Sequence, residues 1–240
     1  MRTSNKILLG ILLLPLFILA SLNAALYAKY KSGHYTTMKS VKEDRYTRRP
    51  LKNIHKIAVY GLENLRIIPS DTMRLEIERD SRGHLHYTIN GDSLIIHGDT
   101  TITRPGGARD TERSYQDVNL YLPSSAIIAA DNSGVNIRGS KDSLKAASYQ
   151  LTLTNAASLT VADNGADSNP VYFKSFIIKA SNAPQIELAP HARISDLQLS
   201  MIESVFNDNG ASIDKLTVNA DKTSNITLKG DNIGRMNAAH

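Results

Sequence analysis

Apolar residues spaced two apart recur about every twenty positions through the second half of the chain, as Leu151/Leu153, Phe176/Ile178, Leu197/Leu199 and Leu216/Val218. Most are followed eight to twelve residues later by a second pair, Leu159/Val161, Ile186/Leu188 or Ile226/Leu228. The third position of each first alternation is Asn155, Ala180, Met201 or Ala220, mostly small. Alternation with period two marks strands with one buried face. Its recurrence predicts strand–turn–strand units, each covering the apolar face of the one before. The pattern predicts a parallel β-solenoid from about residue 118.

From Ile54 the same alternation runs less regularly through Ile57/Val59, Leu65/Ile67, Leu75/Ile77, Leu85/Tyr87/Ile89 and Leu94/Ile96. Asn90-Gly91 tolerates positive φ at both central turn positions and predicts a tight hairpin around those two residues. Pro105-Gly106-Gly107 and the charged run Arg109–Arg113 read as a loop. Val118/Leu120/Leu122 then closes at Pro123, which cannot donate to a ladder.

The N-terminal pattern is different. Residues 7–28 carry no charged side chain and are interrupted by Pro15, Ser21 and Asn23. About twenty apolar residues span the hydrocarbon core of a bilayer. Arg2 and Lys6 precede the run, as in signal peptides and signal anchors. Leu22, Asn23 and Leu26 occupy the positions where a signal peptidase requires small residues, so an uncleaved single-pass anchor is expected. Lys29, Lys31, Lys39, Lys42 and Arg45 follow it and give no positive-inside bias toward an outside C-terminus. Long domains translocate largely regardless of such charges, and the expected location is the periplasmic side of the inner membrane. Cleavage of the segment would instead export the domain to the cell surface.

Charge follows the same division. The chain of 240 residues has a net charge of +5. Positions 1–56 hold eleven Lys/Arg against Glu43 and Asp44, leaving a net of −4 on the rest. A folded part without a basic stripe speaks against nucleic-acid binding. Cysteine is absent, which removes disulfides, thiolate metal sites and a Cys nucleophile. The expected organisation is a cytoplasmic tail 1–6, an anchor 7–28, a basic linker 29–53, a β-solenoid domain 54–232 and a polar tail 233–240.

Two stretches carry a family resemblance. One runs Val59-Tyr60-Gly61-Leu62-Glu63-Asn64-Leu65-Arg66-Ile67 and on to Leu75-Glu76-Ile77-Glu78. The other is Val118-Asn119-Leu120-Tyr121-Leu122-Pro123, with Ile128 and Asp131-Asn132-Ser133-Gly134-Val135-Asn136-Ile137. Over about residues 55–230 the chain resembles the GIN-domain family, labelled auto-transporter adhesin heads, of Gram-negative envelope proteins. Pro69-Ser70-Asp71 departs from the looser, Gly-containing turn of that family. The resemblance implies a right-handed parallel β-helix on an exported protein, and no catalytic residues.

Candidate chemistry is sparse. His84 and His86 lie two apart, so on a strand both face the same side, and His97 across the hairpin could join them on zinc or copper. Spacing places no carboxylate to complete the set, and solvated histidines on a strand face are the expectation. Asp131, Asp163 and Asp208 fall near unit ends, where carboxylates of β-helical polysaccharide enzymes can align. Each sits in Asp-Asn-Ser-Gly or Asp-Asn-Gly, so backbone-capping turns explain them better. Asn155 is expected to point inward and bond to backbone at a corner. Nucleophile-elbow, phosphate-loop and dinucleotide fingerprints are absent from the sequence.

The sequence therefore predicts a membrane-tethered, non-enzymatic envelope protein with no catalytic residue, metal or cofactor. Polar strand faces carrying Thr152, Thr154, Thr160, Lys179, Thr217 and Thr227 are expected to meet a glycan or a protein. The alternatives are an assembly module polymerising through its units, with self-association at the C-terminal one, and a carbohydrate-active β-helix enzyme. Asn232–His240 is expected to fold over the open C-terminal end.

Overall fold

The computed structural model describes residues 3–32, 45–79, 85–98, 100–103, 109–122, 125–162 and 169–238. They form two compact units that divide between Arg45 and Tyr46.

The first unit contains helix α1 (Thr3–Lys31). Its segment Leu13–Lys31 is long and apolar enough to cross a membrane. The polar interruptions are satisfied inside the helix: Ser21 Oγ donates to Ile18 O at 2.8 Å and Asn23 Nδ2 to Leu19 O at 3.0 Å. Such back-bonding keeps polar side chains partnered where water is absent. Lys29 and Lys31 in the last turn complement the helix dipole.

The second unit is almost entirely strand. In chain order its first half contains β1 (Tyr46–Pro50), β2 (Lys56–Tyr60), β3 (Leu62–Pro69), β4 (Arg74–Glu78), β5 (His86–Asn90), β6 (Ser93–His97), β7 (Thr100–Thr103), β8 (Arg109–Glu112) and β9 (Ser114–Leu122). The second half contains β10 (Ala126–Asp131), β11 (Gly134–Ile137), β12 (Ala147–Thr154), β13 (Ser158–Val161), β14 (Val171–Ser181) and β15 (Gln185–Leu188). Then come β16 (Ala192–Ile202), β17 (Val205–Asn207), β18 (Ser212–Ala220), β19 (Asn225–Thr227), a four-residue helix α2 (Asn232–Arg235) and β20 (Met236–Ala238).

Two nine-stranded sheets result. Sheet A has the order β1-β4-β9-β3-β11-β13-β15-β17-β19, and sheet B the order β20-β18-β16-β14-β12-β10-β2-β6-β5. Consecutive strands from β10 onward alternate between the sheets, and each pairs in parallel with the strand about one repeat later. Antiparallel pairing enters at β1·β4, β4·β9 and β5·β6, so both sheets are mixed where the repeat alone predicts purely parallel ones. A short β7·β8 hairpin stands apart.

Several sequence expectations change in detail. Regular parallel pairing does not begin at residue 118: β2 already pairs in parallel with β10 and β6, and β3 with β11 and β9. The chain thus lays β2 and β3 inside the stack and adds their outer neighbours later. The expected linker also contributes structure, because β1 joins sheet A and Leu51 is buried. At the other end β20 extends sheet B beside β18, so the tail adds a strand as well as a turn of helix.

The apolar frame of β12 is displaced by two residues. Tyr149, not Leu151, pairs with Phe176, and Phe176 with Leu197 and Leu216 in turn. Leu153 therefore matches Ala180 and Met201, and Asn155 falls beyond the strand. It is exposed, with φ +50°, and donates Nδ2 to Asp131 Oδ2 at 2.7 Å. Its expected inward, backbone-bonding role is overturned. Tyr149 lies between Phe176, stacked at 5.4 Å, and Phe173, edge-on at 6.4 Å. Burial pushes its hydroxyl up to about 12.

Corners next to sheet B use left-handed backbone. Gly61, Asn132, Ala156, Asn182 and Glu203 have φ between +46° and +67°. The N–H of each of the first four donates to a carbonyl of the neighbouring repeat: Gly61 to Asp131, Asn132 to Thr154, Ala156 to Asn182 and Asn182 to Ile202. Gly and Asn tolerate this region, which accounts for three of the five residues.

Candidate binding surface

Outward residues of sheet B form a grid. One row runs Ser148, Ser175, Asp196, Lys215 across β12, β14, β16 and β18. The next holds Gln150, Ile177, Gln198 and Thr217, and the third Thr152, Lys179, Ser200 and Asn219. Neighbouring strands stand about 4.8 Å apart, so each row repeats its side chains at that spacing. The buried alternate residues fix these side chains outward: Phe176, Ile178, Leu197 and Leu199 are all at or below 3% exposure. Within the grid, Asp196 Oδ2 accepts from Gln198 Nε2 at 3.0 Å, while Asp196 Oδ1 is buried and has no hydrogen-bond partner. Such a shielded acceptor gains a hydrogen bond from a donor that reaches it when neighbouring side chains move aside.

The polar residues singled out from sequence do not share one face. Thr152, Thr154, Lys179 and Thr217 lie on sheet B, whereas Thr160 and Thr227 lie on sheet A. The residues missed were Asp196, Gln198 and Lys215, on β16 and β18, whose apolar pairs Leu197/Leu199 and Leu216/Val218 already set them outward.

A further row crosses the other end of sheet B. His86, His97, Tyr60, Asp131 and Thr154 are in register on β5, β6, β2, β10 and β12. The Tyr60 and His97 rings stack at 4.8 Å with 10° between planes. Asp131 accepts from Thr154 Oγ1 at 2.9 Å as well as from Asn155. His84 lies outside the described residues.

The three aspartates form no shared site. Asp131 ends a strand of sheet B, and Asp208 follows β17 of sheet A, fully buried. Asp208 accepts from the backbone N–H of Gly210 and of Lys229, each at 2.9 Å, as a capping turn does. Asp163 lies outside the described residues. Among the described residues no three His, Cys, Asp or Glu side chains are grouped to hold a metal.

Sheet A bears a charged network near its N-terminal strands. Glu76 Oε1 accepts from Arg48 Nε and Arg74 Nε, both at 3.1 Å, and Glu76 Oε2 from the Tyr121 hydroxyl at 3.1 Å. The Arg74 guanidinium sits 3.5 Å from the centre of the Tyr121 ring. Burial, and then the neighbouring Glu76 charge, raise the Tyr121 hydroxyl above its usual range. These groups satisfy one another and leave the network closed. The C-terminal edges of the two sheets, β19 and β20, are three residues long. Short edge strands blunt unwanted pairing, which disfavours assembly through the last repeat.

No family model and no curated protein matches the chain. Among solved structures, a candidate cell adhesion protein from Clostridium sporogenes is similar over 77% of this chain and 99% of its own, at 10% identity and a TM-score of 0.30. A candidate adhesin from Parabacteroides merdae aligns over 81% of this chain and 95% of its own, at 12% identity and a TM-score of 0.32. A candidate lipid-binding protein from Parabacteroides distasonis aligns over 82% and 97%, at 11% identity and a TM-score of 0.29. Scores this low leave the fold and chemistry of this chain to its own residues.

Proposed function

We propose that this protein is a membrane-tethered, non-catalytic envelope module that binds a polar polymer, a glycan first, on the outward grid of sheet B. The carrying observation is the orphaned Asp196 Oδ1 in the first row of a grid built mainly from Ser, Thr, Gln, Asn and Lys. Short polar side chains held by a ladder lose little freedom on binding. Their fixed repeat along each row suits a ligand that itself repeats. Lys215, in register with Asp196, and Lys179, two rows further along on β14, offer donors to hydroxyl or carboxylate oxygens.

In this reading the alternating parallel strands wind as successive turns of a right-handed β-solenoid, as the GIN-domain resemblance implies. Right-handed crossovers are the general rule for parallel strands of one sheet. Helix α1 serves as the anchor, and the domain faces the periplasm.

The test presents the full chain in detergent micelles to an array of immobilised envelope polysaccharides. Binding is expected, with loss of about tenfold or more for Asp196→Ala and for Lys179→Glu at unchanged melting temperature. Equal binding by the wild type and both variants, or retention of no glycan at all, overturns the assignment.

A further inference from the structure

We propose that His86 and His97 together hold one divalent transition cation, Cu²⁺ before Ni²⁺ or Zn²⁺. The hairpin register creates the pair. The turn closes on Asn90 opposite Ser93, with Gly91 at φ +60° as the first of two central residues, Gly91 and Asp92. Gly at that position defines a type II′ turn. The sequence alone predicts Asn90-Gly91 at the centre, which would set His84 opposite His97. Shifting the centre by one residue sets His86 opposite His97 instead.

Residues directly opposite in an antiparallel pair have Cβ atoms about 4.5–5.5 Å apart, within reach of a single ion at metal–nitrogen distances of about 2 Å. Both histidines are exposed. Among the described residues neither imidazole makes a hydrogen bond, so a lone pair on each is free for an ion. Tyr60 covers one face of the His97 ring at 4.8 Å. Stacking of that kind fixes the ring plane and leaves the nitrogen-bearing edge open. Two imidazoles with water at the remaining positions form a weak, open site, for which the Irving–Williams order puts Cu²⁺ first. The ion would pin β5, the outermost strand of sheet B, to β6. This site lies on β5 and β6, apart from the β12–β18 grid, and does not depend on the glycan assignment.

The experiment titrates Cu²⁺ alone, then Zn²⁺ alone, into the full chain in detergent micelles. Calorimetry reads stoichiometry, and electron paramagnetic resonance reads nitrogen hyperfine coupling. One Cu²⁺ per chain with two coupled nitrogens is expected. His86→Asn and His97→Asn should each weaken binding by about tenfold or more, whereas His84→Asn should change it by less than about threefold. Because the His86 and His97 side chains are exposed and make no hydrogen bond, melting without metal should change little in His86→Asn and His97→Asn. A loss in His84→Asn matching that in His86→Asn would overturn the cross-strand pair. So would unchanged binding in His97→Asn, or one ion shared by two chains.

Discussion

Asn232 donates its side-chain amide to the carboxylate of Asp208 at 2.7 Å, with both residues buried. The register explains why a carboxylate sits there. Glu187 pairs with Asn207, and Asn207 with Thr227, so Asp208 stands in line with Leu188 and Leu228. An apolar column is interrupted by an acid that gathers the N–H groups of Gly210 and Lys229 and the amide of Asn232. Asn232 also donates to Ala211 O at 2.7 Å and accepts from Ile213 N at 3.3 Å. The pair thereby ties the last turn of chain to the strands before it.

Removing either partner leaves buried donors or acceptors without a mate. Asp208→Ala and Asn232→Ala are each expected to lower stability by about 2–4 kcal/mol. The double variant should cost less than the sum, by about 1 kcal/mol or more, since the groups share one network. Denaturant unfolding of the four proteins measures this, and strict additivity would refute the coupling.

Gly134 meets a different constraint. A Cβ built on it would overlap the carbonyl oxygen of Glu63, a backbone atom that cannot swing aside. β11 pairs with β3 directly beyond this point, so relief would require parting the two strands. Gly134→Ala is expected to destabilise the fold by about 3 kcal/mol, at the upper end of overpacking costs. A change below about 1 kcal/mol in chemical denaturation would contradict the contact.

Strand identity was largely legible because each apolar pair must face one core, and period two has no other use. Order and frame were less so. Nothing local in Ile57–Tyr60 announces that it lies between strands that come later in the chain, because sheet order is decided by long-range packing. Leu151/Leu153 alternates as convincingly as Tyr149/Leu151, and only pairing with Phe176 selects between them. β17 escaped notice because Asp208 takes the second apolar position. The polar character of the binding face could be read, but its division between sheets could not. Thr160 and Thr152 follow the same local pattern on opposite sheets.

Glu203 is the corner residue least suited to its backbone. Its φ is +49°, in the region where Gly61 and Asn182 occupy equivalent corners. A long side chain there pays the left-handed penalty that Asn, bonding locally, largely avoids. The exposed side chain makes no ion pair that substitution would remove. Glu203→Asn should raise stability by about 0.5–1 kcal/mol, read as a higher denaturant midpoint at unchanged slope. A lower midpoint would show that this corner draws on the glutamate itself.

The same corner holds the clearest pH dependence. Asp221 accepts the hydroxyls of Ser224 and Thr223 together with the backbone N–H groups of Glu203 and Ser224. The Ser224 and then the Thr223 hydroxyl bonds lead in holding its carboxyl down to about 2. A carboxyl depressed by folding contributes stability that is present above its unfolded value, near 3.8, and lost as pH falls through its folded value. The affected window therefore runs from about pH 4 down to about pH 2. Asp221→Asn should flatten the acid limb of stability within that window and leave the neutral region's slope unaltered. Carbon-13 detection of the Asp221 carboxyl gives the direct reading, with a midpoint expected near 2. A midpoint near 4 would mean that the Ser224 and Thr223 hydroxyls spend their time on water, and the corner would then owe its shape to backbone bonds alone.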